Sequence, residues 1–220
     1  MNNFLTREVN AAGLYAIEFI IDGQPRTVVV DDYFPFVRTG RKNEEGIRTG
    51  PEVFAFAKPK FDENEIWVQL IEKAWAKLCG SYEAAEMGIC GEFFQNFDGV
   101  PTEINWTDDY DKDQMGQDKL FRLMSVADGN GWIMTASVLK SMKEDLRMTN
   151  PDDKVLETVG LKNCHSYTVI DVREIVLDNG ELEYMVFCRN PTGNYYNKDH
   201  EVWRGDWGPT SDKWSTKTRK

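Results

Sequence analysis

One amphipathic stretch, EIWVQLIEKAWAKLC at residues 65–79, constrains the fold more than any other part of the chain. Its large apolar residues recur at intervals of three and four, which is the spacing of one face of an α-helix. The residues on this face are Trp67, Leu70, Ile71, Ala74, Trp75 and Leu78. Asp62 or Asn64 is placed to cap the start of the helix, and Gly80 to close its end. The stripe requires apolar cover.

Strands are predicted on both sides of this helix. LYAIEFII and RTVVV, joined by DGQP, predict a hairpin over residues 14–30. Residues 165–177 and 182–188 predict two more strands, and Asn179-Gly180 between them is the strongest short hairpin signal in the chain. WIMTASVL, at residues 132–139, predicts a further strand. Helices together with antiparallel hairpins indicate an α+β fold.

Shorter helices and loops connect these elements. Ser81 is placed to cap a helix in SYEAAEMG, while GEFFQNF at 91–97 and DKLFRLMSVA at 118–127 each predict another helix. Residues 37–60 indicate a loop, and residues 140–160 indicate a long loop with one candidate helical turn. The polar, acidic segment 101–119 then predicts a boundary that divides the chain into two halves, 1–100 and 101–220.

Charge and hydropathy exclude several classes of partner. The formal net charge is −11 and the sequence pI is about 4.8, and an acidic surface repels nucleic acid and anionic lipid. The apolar runs are far shorter than the roughly 20 residues of a membrane-spanning helix, so no membrane insertion is expected. The first residues lack the pattern of a signal peptide. We expect an intracellular protein, cytoplasmic or cytoskeleton-associated. In that setting, four widely spaced cysteines without a Cys-x-x-Cys pair indicate free thiols.

His165, at the head of a predicted strand, is followed 25 residues later by Asn190. A thiol protease needs a base held in orientation by a third group, and an asparagine can be that group. A two-residue turn at Asn179-Gly180 sets Val169 opposite Asn190, which leaves His165 on the right face but about 13 Å away along the strand. A bulge, a strong twist or another register must close this gap. From spacing alone, a structural histidine is the better interpretation.

The acidic segment DYDKDQ has partial calcium-site spacing. Asp109, Asp111 and Asp113 stand at the first three ligand positions of an EF-hand loop. Gln114 replaces the required glycine and Leu120 replaces the required glutamate, so the pattern fails. The segment predicts a solvated acidic turn.

Five separated stretches together resemble the calpain family of cysteine proteases. LYAIEFIIDGQPRTVVVDDYFPF resembles a hairpin of that family that ends in Asp-Asp, and EIWVQLIEKAWAKLCGSYEAAEMG resembles its helix signature. LKNCHSYTVIDVREI resembles the segment that carries the catalytic histidine, CRNPTG the segment that carries the catalytic asparagine, and VWRGDWG the tryptophan-rich stretch that follows. Their order and spacing agree over nearly the whole chain.

The resemblance implies a papain-like calpain protease core with a cleft between two lobes. Residues 1–100 are then the latter part of an incomplete first lobe, and 101–220 form a second lobe rich in antiparallel strands. His165 is implied as the catalytic base and Asn190 as its orienting residue. Calcium binding is also implied, with Glu65 as a candidate metal ligand in the first lobe, although no cofactor is required by the residues themselves.

The departures from the family pattern decide the predicted function. In the family, the nucleophilic cysteine and an oxyanion-hole glutamine precede the first hairpin, and neither is found in this sequence. Thr192 replaces a tryptophan that shields the histidine–asparagine pair from water. Val202 stands where an acidic calcium ligand is expected, with Glu201 one residue away.

None of the four cysteines is an obvious substitute nucleophile. Cys164 adjoins His165, and adjacent strand residues point to opposite faces. Cys79 is predicted at a helix C-terminus, where the helix dipole disfavours a thiolate. Cys188 shares the face of Asn190 and is most simply a core residue. Cys90 precedes a short helix, where a thiolate is favoured, and is the least implausible substitute.

Two interpretations follow from different classes of protein. In the first, the chain by itself is a non-catalytic pseudoprotease, scaffold or interaction subunit. In the second, it is part of an active calcium-dependent cysteine endopeptidase whose nucleophile lies on a separate or preceding segment. We predict the first for this polypeptide, together with another protein chain that covers exposed apolar surface around Trp67, Leu70, Ile71 and Trp75.

Overall fold

The computed structural model describes residues 3–58, 64–86, 88–110, 113–138, 156, 158–191 and 202–214. The chain divides into two compact units, Met1–Ile104 and Asn105–Lys220. Helices and antiparallel strands occur in both, which makes the protein α+β. Among the described residues, no helix is both long and apolar enough to cross a membrane.

The first unit opens with the predicted hairpin. Strand β1 spans Leu14–Ile21 and strand β2 spans Gln24–Asp31, in antiparallel register. The turn is tighter than predicted, because only Asp22 and Gly23 lie between the strands, both with positive φ (51° and 71°). Two such residues form the primed turn that matches the twist of a hairpin. Pro25 therefore lies within β2, which has a neighbour on one side only and tolerates the missing N–H.

Helix α1 spans Trp67–Cys79, two residues shorter at its start than predicted. Ile66 occupies the N-cap position and no side chain caps the helix, so the predicted cap by Asn64 is wrong, and Asp62 lies outside the described residues. Gly80 ends the helix as predicted, with φ 102°. Two lysines attach α1 to β2: Lys77 Nζ donates to the carbonyl of Val29 at 2.8 Å. Lys73 Nζ contacts the carboxylate of Asp31.

The middle of the apolar stripe of α1 is covered within its own unit. Leu70, Ile71 and Ala74 are buried in a core with alternate residues of β1 and β2 and with Phe97 of helix α2 (Cys90–Asp98). The strand residues in this core are Tyr15, Ile17, Phe19, Val28 and Val30. The expectation of uncovered surface around Leu70, Ile71 and Trp75 is therefore wrong.

Trp75 lies at the edge of this core. Its ring stacks on Phe19 at 6.0 Å between centroids and meets Phe93 of α2 edge to face at 5.2 Å. Trp67 and Leu78, at the two ends of the predicted stripe, are exposed, at 41% and 38%. The hairpin and α2 thus supply the cover that the resemblance had assigned to a helix outside this sequence.

Two other parts of the first unit differ from expectation. Short strands β3 (Phe36–Arg38) and β4 (Glu52–Phe54) pair within the segment predicted to be a loop. In the segment after α1, Ser81 Oγ accepts the N–H of Ala84 at 3.0 Å, but only turns follow, so the predicted helix there is wrong. The helix predicted at 91–97 is confirmed as α2.

The second unit places one helix against a three-stranded sheet. Helix α3 spans Gln114–Gly129 and begins where Asp113 accepts the N–H of Gly116 at 2.8 Å, so this aspartate caps a helix. Strands β5 (Met134–Val138), β6 (His165–Val176) and β7 (Leu182–Arg189) follow in the order β5-β6-β7. Phe121 of α3 stacks on Tyr184 of β7 at 4.0 Å between ring centroids. Most of the loop predicted at 140–160 lies outside the described residues.

Candidate functional site

The β6–β7 hairpin determines how close His165 and Asn190 come. The last pair before the turn is Val176 with Leu182, and Leu177 donates to the carbonyl of Glu181 at 2.8 Å. The turn therefore has three residues, with Gly180 at φ 85°, instead of the two expected from Asn179-Gly180. This extra residue shifts the β6–β7 pairing by one position, which brings Asn190 closer to His165.

A β-bulge at Ile170 shifts the pairing by one more position. Asp171 pairs with Phe187, whereas Val169 pairs with Cys188, so Ile170 has no partner in the ladder. The buried residues of β6 show the same break: Tyr167 and Val169 alternate normally, but the next buried residue is Val172. Continued toward the open end, this register places position 190 opposite Tyr167, and His165 becomes a diagonal neighbour of Asn190. Diagonal neighbours are about 7–8 Å apart at Cα, a distance that long side chains span.

The two side chains meet in the second unit. His165 Nε2 lies 2.8 Å from Asn190 Oδ1, and both residues are half-buried. An amide oxygen can only accept, so the imidazole donates through Nε2–H in this contact. The neutral ring then carries its lone pair on Nδ1, which is the atom able to take a proton. This arrangement has the chemistry of a general base held in one tautomer by an amide.

The backbone just before His165 is tightly turned. Cys164 has φ 50°, and its N–H donates to Asn163 Oδ1 at 2.8 Å. Because β6 begins only at His165, the strand alternation that set Cys164 apart from the imidazole does not apply. This correction keeps Cys164 as a thiol to be tested.

The other three thiols occupy different settings. Cys79 is exposed at the C-terminal end of α1, as predicted, and Cys90 is the first residue of α2. Cys188 is exposed, so its assignment to the core is wrong, although partial desolvation raises the pKa of its thiol. It pairs with Val169, four residues from His165, which is about 13 Å along the strand.

A tryptophan-rich segment, residues 202–214, packs in the same unit as His165 and Asn190. Arg204 donates its N–H to the carbonyl of Val159 at 2.9 Å, which joins this segment to the turn that leads into β6. Trp207 Nε1 donates to Glu183 Oε1 of β7 at 3.1 Å, and its ring meets Trp214 edge to face at 5.1 Å. The segment thus contacts the chain ahead of β6 and, through Glu183, the turn end of the β6–β7 hairpin.

The structure supplies no donor set for calcium around the predicted ligand. Glu65 is exposed, and no group of three or more histidine, cysteine, aspartate or glutamate residues suited to a metal occurs in the described parts of the chain. Val202 is described, but Thr192, Glu201 and Asp111 lie outside the described residues. The role of Glu65 stays a prediction.

Tyr167 was not among the predicted site residues. Its ring lies perpendicular to that of His165, at 89° and 4.9 Å between centroids. The signal was present in the sequence, because residues two apart on a strand share a face.

The comparisons with known proteins agree with these motifs. The model of the calpain family cysteine protease domain matches residues 2–220. The chain is 28% identical over 216 residues to the calpain-type cysteine protease ADL1 of Oryza sativa subsp. japonica, covering 98% of this chain and 8% of that protein. It is 30% identical over 212 residues to calpain-5 of Rattus norvegicus, covering 92% of this chain and 29% of that protein.

A third relative is calpain-B of Drosophila melanogaster, which is 33% identical over 212 residues, covering 93% of this chain and 19% of that protein. The chain therefore spans less than a third of the length of these curated relatives.

Proposed function

The chain belongs to the calpain family of cysteine proteases, and from this premise we propose that it carries the histidine–asparagine half of a calpain-type catalytic site without hydrolysing peptide bonds by itself. The observation that carries the proposal is the 2.8 Å contact between His165 Nε2 and Asn190 Oδ1. A papain-like core, with this pair on the second lobe, is the architecture that we propose for it.

The proposed role of the pair is to activate a thiol. Nδ1 of His165 takes the proton of the thiol, and the thiolate attacks the carbonyl carbon of the peptide bond. The imidazolium later returns this proton to the leaving amine. Asn190 keeps Nε2–H directed away from the thiol, so that the basic nitrogen is the one facing the reaction.

The proposal that this polypeptide is inactive alone depends on its thiols. No cysteine of the sequence lies ahead of β1, where the family resemblance places the nucleophile. Cys79 lies at a helix C-terminus, and Cys188 is offset from His165 by four residues along the sheet. Cys164 and Cys90 are the two that experiment must exclude.

The retained geometry of the pair favours a second candidate. A histidine and an asparagine held in hydrogen-bond contact are of no evident use to a scaffold, so the chain is alternatively part of a working endopeptidase whose thiol is supplied from outside this sequence. The free cysteines fit a reducing, intracellular location, which we also propose. A protein partner remains part of the proposal, but the one described residue of the predicted patch still substantially exposed is Trp67.

Hydrolysis of fluorescent casein, with and without Ca²⁺, tests the first candidate. The chain should show no turnover and no labelling by an epoxide probe of cysteine proteases. Turnover that is lost in His165→Ala but kept in the matched variant His200→Ala would contradict it. Cys164→Ser and Cys90→Ser would then identify the nucleophile.

A chimera tests the second candidate. The part of rat calpain-5 that precedes its matched region is joined to the start of this chain, and a second chimera carries serine in place of each cysteine of that added part. Casein hydrolysis by the first chimera alone, abolished by His165→Ala, would support the endopeptidase. Equal inactivity of both folded chimeras would leave the non-catalytic candidate.

A further inference from the structure

We infer that Tyr167 is a positioning residue for His165, with its ring holding the imidazole in the orientation that reaches Asn190 and its hydroxyl anchoring the backbone ahead of β6. The inference rests on the proposed function, because it assigns Tyr167 a part in the same site. It concerns how the base is held and is independent of where the thiol comes from.

Tyr167 lies on the central strand of the three-stranded sheet, two residues after His165. It pairs with Ala136 of β5, and the bulged register of β6 and β7 places it opposite position 190. It is 8% exposed, whereas His165 and Asn190 are half-buried. Tyr167 is on the same strand as His165 and faces the same side of the sheet. The imidazole therefore packs against the buried ring of Tyr167.

The ring contact supplies an orientation that the hydrogen bond alone does not. The outer torsion of a histidine side chain has broad, roughly two-fold preferences, so one bond at Nε2 leaves the plane of the imidazole undetermined. The ring of Tyr167 meets the imidazole at 89° with 4.9 Å between centroids, an edge-to-face arrangement that aromatic pairs prefer. Together, the bond and the ring fix both the direction and the plane of the base.

The hydroxyl of Tyr167 extends the same control to the backbone. The N–H of Lys162 donates to this oxygen at 2.9 Å, and the N–H of Cys164 donates to Asn163 Oδ1 at 2.8 Å. The residues that enter β6 are thus held by side-chain acceptors through a turn with φ 50° at Cys164. Tyr167 therefore contacts both the imidazole of His165, through its ring, and the backbone that precedes His165, through its hydroxyl.

Nitrogen-15 NMR of the imidazoles in the whole chain tests the inference without any activity. Wild-type His165 should appear as the Nε2–H tautomer with an exchange-protected Nε2–H proton, and His200 serves as the internal reference. Tyr167→Leu should lose this proton signal and move the tautomer ratio toward that of a free imidazole. Tyr167→Phe should keep the tautomer but lose exchange protection at the amide of Lys162.

The matched control is Tyr184→Leu, which removes another tyrosine ring from the same sheet. Tyr184 stacks on Phe121, so its loss should lower stability while leaving the signals of His165 unchanged. If Tyr167→Leu does not fold, Tyr167→Met fills a similar space without a ring and should show the same loss at His165.

The outcomes separate the two proposals. A folded Tyr167→Leu or Tyr167→Met protein with wild-type signals for His165 would overturn the inference and leave the proposed function standing. A wild-type protein without the Nε2–H tautomer would overturn the His165–Asn190 pair itself, and the inference with it. Loss of the signal in the Tyr167 variants but not in Tyr184→Leu supports both.

Discussion

Replacing Gln69 by leucine should stabilise the protein. Gln69 lies in α1 and is 2% exposed, and both polar atoms of its amide are buried without a hydrogen-bond partner in the described part of the chain. A buried polar group without a partner loses its bonds to water and gains nothing in return. Leucine has a similar volume and a similar helix propensity, so the substitution removes the desolvation cost and keeps the packing.

The size of the effect follows from that cost. Leaving a buried donor or acceptor unsatisfied costs about 1–3 kcal/mol, and one amide carries both. We therefore expect Gln69→Leu to raise the free energy of unfolding by about 1–3 kcal/mol. With a urea m-value of about 2 kcal/mol/M, the midpoint of denaturation rises by about 1 M.

Urea denaturation followed by circular dichroism checks this prediction. Gln95→Leu is the matched control, because Gln95 is an exposed residue of α2 in the same unit and its replacement should change the free energy of unfolding by about 0.5 kcal/mol or less. A lower midpoint for Gln69→Leu than for wild type would refute the reasoning. It would mean that ordered water satisfies the amide in solution.

Two further changes test other contacts of the fold. Burial raises the pKa of Glu72, which accepts the N–H of Ala57 at 3.0 Å. Because its charged form is disfavoured in the folded state, the protein should lose stability as pH rises from the unfolded pKa, about 4.3, through the folded value. Glu72→Gln should flatten this dependence in thermal melts at pH 4 to 7, and an unchanged slope would count against the assignment. Gly160→Ala should lower the melting temperature, since φ is 81° there and a Cβ would collide with the carbonyl of Val202. An unaltered melt would show that Gly160 and Val202 do not approach this closely.

The regular elements were predictable because their signals are local. The spacing of apolar residues in α1 and the strand runs of β1, β6 and β7 need no knowledge of distant contacts. The caps were less predictable: Asn64 and Ser81 have suitable side chains, yet α1 begins at Trp67 without a side-chain cap and only turns follow Ser81. A residue with a suitable capping side chain therefore does not by itself start a helix in this chain.

The cover of the α1 stripe was predicted wrongly for a different reason. Family resemblance assigned the contact surface to a helix outside this sequence, and periodicity cannot say which element meets a stripe. Phe19 of β1 contacts the rings of Trp75 and Phe97, so the hairpin and α2 form a core with α1. This pairing depends on contacts between residues far apart in the chain.

The contact between His165 and Asn190 was implied by resemblance, but spacing argued against it. The discrepancy was one residue in the turn and one at Ile170, and neither leaves a mark that a pattern of apolar and polar residues reveals. The catalytic role of His165 and Asn190 remains a prediction. The position of Tyr167 beside His165, by contrast, could be predicted from the sequence, because the two residues are two apart on the same strand.

The bulged hairpin also restricts how related sequences can vary in length. Residues added in equal number to β6 and β7, beyond the bulge, leave the pairing at the open end unchanged. The separation between the histidine and the asparagine, 25 positions in this chain, can therefore change freely only by even numbers. An odd change moves every later residue of one strand to the opposite face unless the turn type changes or a bulge is gained or lost. Aligned relatives should accordingly differ from this chain by an even count here, or show a different turn or bulge where the count is odd.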